Sequence, residues 1–453
     1  MINIKILYDL LFIFFTIELI SCEKKNINIQ NFMNFTDNYT SNTDYIENGM
    51  SNFNDNCSTR NISYYNTPEN IYFSNIKNII YNNENYTFHN YPRKNKNGNW
   101  PTFTKYNNIT KCFDPWPNEK NKDSFSSVIN FEFDQENNIY ILDEGNSVCP
   151  NITITKFNIS GFYLGQYKID DNNSNKNLSD FVIDTINNYI YITYSTDNKY
   201  GIYVKDMNNT DNAKKVIIDY DELKIDDNYI ISKIINEYFE NVAKRVINIA
   251  LSCDSKVLFL SPLSSRKIFS ISTETIRTMN NNETITKDQV NEAFKNDFSS
   301  SIVAGNLGNL YFTGLENKNF YRAGQFDNKL TEFDYKGLNQ GNNSLLTEEG
   351  FLPLKLSINN GSLYIYYKDL LNVIKSNKLT TKIYNATIDK ENSYVYKCAG
   401  LNYKWNIISY TIWGVFAFIL CFIVIFVLIE NRQDKDYDYK KNNEEQQILK
   451  KKS

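Results

Sequence analysis

Phe131-Glu132-Phe133-Asp134 turns through Asn137-Asn138 into Ile139-Tyr140-Ile141-Leu142, and Phe181-Val182-Ile183-Asp184 turns through Asn187-Asn188 into Tyr189-Ile190-Tyr191-Ile192. Each half is a short β-branched and aromatic run, and the Asp and Asn residues between them supply turn chemistry, so each unit reads as a β-hairpin. The unit recurs. Ile249 to Ser252 leads through Asp254 to Val257–Leu260, Ile302 to Ala304 leads through Asn306 and Gly308 to Leu310–Phe312, and Leu354 to Ser357 leads through Asn359 and Gly361 to Leu363–Tyr366. Successive turns lie about 50 to 70 residues apart, the scale of a propeller blade with insertions. A hairpin of this kind cannot bury both faces alone, so radial stacking around a channel is the natural solution. The expected fold class is therefore all-β, a six-bladed β-propeller, with the sixth blade closed by strands near 383–396 joined to an N-terminal strand near 71–80. A pair of β-sandwiches is the alternative, but sandwich strands recur without so long a period.

Outward from this core the chain changes character. Lys5 precedes the apolar run Leu10–Ile17, and Ser21 and Cys22 follow, which is the layout of a cleaved signal peptide over 1–22. Residues 23–66 are polar and Asn-rich and read as a disordered arm. The propeller is expected over 67–404. Ile407 to Ile429 lacks Asp, Glu, Lys and Arg, about the length a helix needs to cross a bilayer, so 405–429 is expected to be one C-terminal transmembrane helix. Trp405, Tyr410 and Trp413 would anchor one interface, and Arg432, Lys435, Lys440 and Lys441 place the 430–453 tail in the cytoplasm. That is a type I orientation.

A net charge of −4 with no basic block between the two apolar segments argues against nucleic acid, whose phosphates demand clustered Lys and Arg. Asn, Lys, Ile and Tyr are overused in the manner of AT-rich genomes, which inflates motif counts. Fifteen Asn-x-Ser/Thr acceptors, from Asn34 to Asn385, are thus compatible with a glycosylated lumenal domain without marking any single site. Of the seven cysteines, Cys22 leaves with the signal peptide and Cys421 lies in the apolar segment. The other five are an odd number in an oxidising compartment, and the sequence leaves their connectivity open, with Cys112 and Cys149 the candidate pair.

The segment Tyr91-Pro92-Arg93 with Gly98, Pro101 and Thr102, then Phe113-Asp114-Pro115-Trp116-Pro117, then Ser127-Val128 and Ile139–Gly145, resembles the yellow and major royal jelly proteins. Ala250-Leu251-Ser252, Leu258–Arg266, Ser272-Thr273 and Ile276-Arg277 follow the same family's pattern most closely. The resemblance implies a secreted six-bladed propeller, whose relatives include binders of small biogenic amines at the channel mouth and some credited with dopachrome conversion. The chain departs from the family at Gln135-Glu136 and at Arg322-Ala323-Gly324-Gln325, where cysteines are usual. Disulfides of the family type are not expected there.

Chemistry has little material. His89 is the only histidine, Cys-x-x-Cys and phosphate-binding glycine loops are absent, and no spacing suggests a metal site or cofactor. For an amine-like ligand, Asp143 and Glu144 just past a strand end are the candidate channel residues, although Asp143 before Gly145 is also ordinary turn chemistry. Lys450 and Lys451 fit a dilysine retrieval signal, and Ile448-Leu449 after Glu444 an acidic dileucine one. The expected function is membrane-tethered recognition of a protein or glycan partner; the alternative is a small-ligand binder or dopachrome-conversion-type enzyme using the channel.

Overall fold

The computed structural model describes residues 75–82, 84–92, 101–107, 109, 112–117, 125–145, 151–170, 177–196, 200–220, 246–295, 297–316, 319–324, 330–333, 351–359, 362–369 and 381–387, with scattered helical positions between 414 and 432. Residues 1–397 and 398–453 are separate compact units. The first is an all-β propeller.

Among the described residues its strands form six sheets, antiparallel except for one parallel pair and following chain order except for one strand. The first holds β1 (Asn75–Tyr81), β2 (Glu84–Asn90), β3 (Phe103–Asn107) and β4 (Cys112–Pro115); the second β5 (Val128–Phe133), β6 (Ile139–Asp143), β7 (Ile152–Phe157) and β8 (Tyr163–Asp170). The third holds β9 (Asn177–Asp184), β10 (Tyr189–Ser195), β11 (Tyr200–Asp206) and β12 (Lys214–Ile218), and the fourth β13 (Ile247–Leu251), β14 (Val257–Pro262), β15 (Lys267–Ser272) and β17 (Val290–Lys295). Between β15 and β17, the short helix α1 (Thr273–Thr278) precedes β16 (Glu283–Ile285), which crosses over to extend the third sheet in parallel with β12. The fifth sheet is β18 (Ile302–Ala304), β19 (Asn309–Gly314), β20 (Asn319–Gly324) and β21 (Leu330–Phe333); the sixth is β22 (Phe351–Asn359), β23 (Ser362–Asp369) and β24 (Thr381–Thr387).

All five hairpins expected from the sequence are present, and their turns show why. Asn137, Asn188, Ser255 and Gly308 adopt positive φ at corresponding places, a conformation that Gly and Asn tolerate best. Asp134 Oδ1 accepts from the Glu136 and Asn138 amides, Asp184 Oδ1 from those of Ile186 and Asn187, and Ser252 Oγ from those of Lys256 and Val257. In these three turns side-chain acceptors hold the backbone through local contacts alone.

One expectation is corrected. The segment near 71–80 does not complete the last sheet together with the segment near 383–396. Instead β1 pairs in register with β2 around Asn82, whose φ is 51°, and opens a sheet of its own, while β24 is the third strand of the β22–β23 sheet.

The first strands of the sheets meet around the centre: β5 lies beside β9, β9 beside β13, β13 beside β18, β18 beside β22, and β22 beside β1. Polar ties cross these junctions. Asn90 Nδ2 donates to the Val128 carbonyl (2.9 Å), Thr193 Oγ1 to the Ile247 carbonyl (2.7 Å) and Ser300 Oγ to the Pro353 carbonyl (2.6 Å). Arg277 of α1 reaches Asp184 of the preceding sheet at 3.5 Å and lies over the Tyr189 ring. The second strands are covered on both faces, which is why they read as nearly continuous apolar runs: every residue of β6 is buried, as are all but the first of β10 and β14. Each fully buried aliphatic or aromatic side chain there stabilises by about 1.5–3 kcal/mol.

In the second unit Gly414, Val415, Phe418, Cys421, Phe422, Ile425, Ile429 and Arg432 are helical and exposed. Among the described residues no helix is long and apolar enough to cross a membrane.

Close approach inside the third sheet gives a stability test. Gly201 of β11 faces Tyr194 of β10, and a Cβ there would stand 2.4 Å from the buried Tyr194 ring, which is itself packed on Tyr203 with centroids 4.5 Å apart. Gly201→Ala is expected to cost about 1–3 kcal/mol and to lower the thermal midpoint by several degrees, read by circular dichroism melting.

Candidate functional site

Because strand side chains alternate, residues two apart on a first strand point to the same face. Asn75 and Lys77 on β1, Asn130 and Glu132 on β5, Asp180 and Val182 on β9, and Lys355 and Ser357 on β22 all line one cavity where the first strands converge. Ile249, Ile302 and Leu356 supply apolar wall. The cavity volume is ≈ 90 Å³. That is room for a few waters or a small molecule, well below the several hundred Å³ of drug-sized pockets.

The charged groups are cross-tied. Lys77 Nζ donates to Glu132 and to the Phe131 carbonyl (2.6 Å), and sits 5.3 Å from the centre of the Phe131 ring. Asn130 Nδ2 donates to Asp180 Oδ1 at 2.5 Å, and Asn75 Nδ2 donates to Asn130 Oδ1 at 3.2 Å. Asp180 also accepts from the Phe181 amide (2.9 Å) and, more loosely, from the Ile249 amide (3.4 Å). Burial pushes the Glu132 carboxyl up despite the opposing pull of Lys77. Burial pushes the Lys355 ammonium down, with Asp180 and Glu132 resisting and Lys77 reinforcing the fall.

None of these four charged residues was singled out by sequence reasoning. The signal was a charge at an inward position of four of the six first strands, as in Phe131-Glu132-Phe133 and Leu354-Lys355-Leu356. Asp143 and Glu144 lie elsewhere. Asp143 closes β6, taking the Ser127 amide (2.8 Å) and Gly145 amide (3.1 Å) on Oδ1 and the Ser126 amide (2.8 Å) on Oδ2. Glu144 accepts from the Ser127 hydroxyl at 2.9 Å. Neither carboxylate lines the cavity, and Asp143 performs the turn role that Asp-x-Gly allows. Cys112 begins β4, but its side chain lies outside the described residues, as do Cys149, Ile448, Leu449, Lys450 and Lys451.

His89 on β2 is buried, with its ring 3.9 Å from that of Tyr91 and 5.6 Å from that of Phe113. Burial first, and the charge of Lys368 second, hold its pKa well below the ordinary value. The imidazole therefore stays neutral in the fold, whereas in the unfolded chain it takes a proton near pH 6.5. Stability from this residue is full above that pH and falls below it, by up to about 1.4 kcal/mol per pH unit. As the chain's single histidine, its part is separable: His89→Leu is expected to flatten the loss of denaturant midpoint between about pH 6.5 and 5.5.

The family profile described as "Major royal jelly protein" matches residues 126–395. A search of curated proteins finds no match. Among solved structures the chain is similar to a luciferin-regenerating enzyme (10% identity, 71% of this chain and 94% of that one, TM-score 0.40). It is similar also to virginiamycin B lyase from Staphylococcus aureus (14%, 73% and 87%, 0.36) and to a protein of unknown function from Bacteroides caccae (10%, 64% and 97%, 0.35). These likenesses are too distant to bear on activity. The profile match spans more than half of the 453 residues, carries the β-propeller with it, and places the chain in the major royal jelly protein family.

Proposed function

We propose that this chain is a binding protein of the secretory pathway or cell surface, in which the six sheets serve as the six blades of one rigid disc that presents a recognition surface to a protein partner. The observation that carries this reading is the tripeptide Phe162-Tyr163-Leu164, whose residues are 70%, 62% and 51% exposed at the start of β8. Contiguous exposed apolar side chains mark interaction sites, and aromatic residues dominate the energetics of such sites. β8 is the outer edge strand of its sheet, so a partner can use its backbone as well as its side chains. The triplet is also held in order. Asn158 Oδ1 accepts from the Ser160 and Phe162 amides, Gly161 takes a φ of 92°, and Tyr163 packs edge-on against Phe157. Preorganised side chains lose little entropy on docking.

The remaining parts of the reading come from the sequence. A signal peptide over 1–22 and a membrane helix over 405–429 would make the protein type I, with glycans on the propeller side. The helical, exposed apolar residues between 414 and 429 are in keeping with that anchor. An amine ligand in the channel is the weaker reading, because Glu132 and Asp180 share the cavity with Lys77 and Lys355.

A tag after residue 22 is expected to stain intact cells if the propeller faces outward; staining only after permeabilisation would move it to a secretory compartment. For the surface itself, beads carrying the full chain are expected to bind cells, and Phe162→Ser with Tyr163→Ser and Leu164→Ser to weaken capture by about tenfold or more. Unchanged capture, at an unchanged melting temperature, would remove the patch from the reading.

A further inference from the structure

Resting on the recognition reading above, we propose that the partner is a basic protein and that it docks across one end of the first three sheets. Among the described residues of the propeller unit, the exposed large apolar side chains are Ile109 (91%), Phe162, Tyr163, Leu164 and Ile186 (47%). They come from three separate sheets. Ile109 sits in the β3–β4 turn, Phe162 to Leu164 lead out of the β7–β8 turn into β8, and Ile186 sits in the β9–β10 turn.

Register brings these turns to the same end. Asn75 and Lys77 of β1 meet Asn130 and Glu132 of β5 in the same order, so those two strands run parallel. Gln135 in the β5–β6 turn and Thr185 in the β9–β10 turn border the same cavity, which aligns β5 with β9. Within an antiparallel sheet the first and third turns share an end, so the β3–β4 and β7–β8 turns join the β9–β10 turn there. A stable interface buries about 800 Å² on each partner, more than a single turn offers, so anchors spread over three sheets suit a partner of protein size.

Charge at this end is sorted by sign. Glu84, Glu136 and Asp211 are exposed at the β1–β2, β5–β6 and β11–β12 turns. Glu84 accepts from the Tyr86 hydroxyl (2.6 Å) and Glu136 from Asn138 Nδ2 (3.2 Å), and none of the three has an ion-pair partner among the described residues. The basic groups nearby are turned to the fold instead. Lys156 pairs with Asp134 (3.3 Å), Lys205 donates to the Asn209 carbonyl (2.6 Å), Arg277 reaches Asp184, and Lys105 lies over the Tyr86 ring. Exposed Lys168 stands toward the far end of β8, and exposed Lys256 and Lys287 lie further on, at the fourth sheet. Apolar anchors beside unneutralised carboxylates fit a surface of apolar side chains ringed by Lys and Arg, and oppose an acidic one.

The test uses the full chain in detergent and two labelled helical peptides with the same leucine face, one carrying lysine and the other glutamate on the opposite face, read by fluorescence anisotropy. The lysine peptide is expected to bind the wild-type chain about tenfold more tightly, and to lose most of that margin at high salt. Glu84→Lys with Glu136→Lys and Asp211→Lys is expected to reverse the preference, and Ile109→Ser with Ile186→Ser to weaken the lysine peptide about tenfold. Equal binding of the two peptides by the wild-type chain would overturn the inference, and that comparison needs no variant to fold. If both bind alike and both are lost with Phe162→Ser, Tyr163→Ser and Leu164→Ser, the recognition reading stands without the basic partner. Self-association of the full chain, or binding to phosphatidylcholine vesicles, that Ile109→Ser with Ile186→Ser abolishes would give the face to a second copy or to a bilayer and overturn the inference as well.

Discussion

The constraint on which this molecule rests is that its second strands are apolar on both faces. β6, β10 and β14 bury essentially every side chain, so each sheet needs a neighbour on either side. Alone, any one of them would leave a full apolar face in water, at about 25 cal/mol for each Å² exposed. A ring of sheets meets the demand for all of them at once, with first strands converging and outer strands left to solvent. The burial patterns follow that gradient: Ile139–Asp143 is wholly covered, whereas Tyr163–Asp170 at the periphery is mostly open.

Convergence at the axis creates a second demand, because inward positions of the first strands are confined yet carry charge. An isolated buried ion costs several kcal/mol, and that cost is offset only by good pairing. Here the pairing crosses from strand to strand: Lys77 of β1 to Glu132 of β5, Asn130 of β5 to Asp180 of β9, and Asp180 toward the Ile249 amide of β13. The same groups that could act on a ligand therefore also fasten neighbouring sheets. Replacing one of them removes a tie and leaves its partner buried and uncompensated, so function and stability are read together at this axis.

Much of the fold was legible because the turns carry their own chemistry. Asp134, Asn137, Asp184, Asn188 and Ser252 declare hairpins locally, and the runs that follow them are apolar because the fold covers them twice. The first sheet was harder: Asn75–Tyr81 and Glu84–Asn90 are polar and turn at Asn82 within an Asn-rich stretch, so β1 looked like a lone strand in search of a sheet. The cavity was harder still. Which of two alternating faces points to the axis depends on register across six sheets, and Glu132 between two phenylalanines looks like an ordinary solvent-facing charge until that register is known. Asp143 shows the converse, since its place in a motif suggested a ligand while its three amide partners give it a turn to hold.

Charge balance in the cavity decides what it favours. Two unit charges about 4 Å apart interact by roughly 4 kcal/mol at the effective dielectric of a protein site, so a cavity walled by Glu132 and Asp180 alone would draw a cationic amine strongly. Lys77 and Lys355 stand in the same wall and oppose that pull with equal formal charge. An incoming ammonium would have to share Glu132 with Lys77 and meets Lys355 in the same lining, so part of the attraction is lost. A neutral molecule meets no such penalty: it can set its polar end among the four charges and its carbon chain against Ile249, Ile302 and Leu356 without breaking a pair. The two lysines thus offset the pull that the carboxylates alone would exert on a cation.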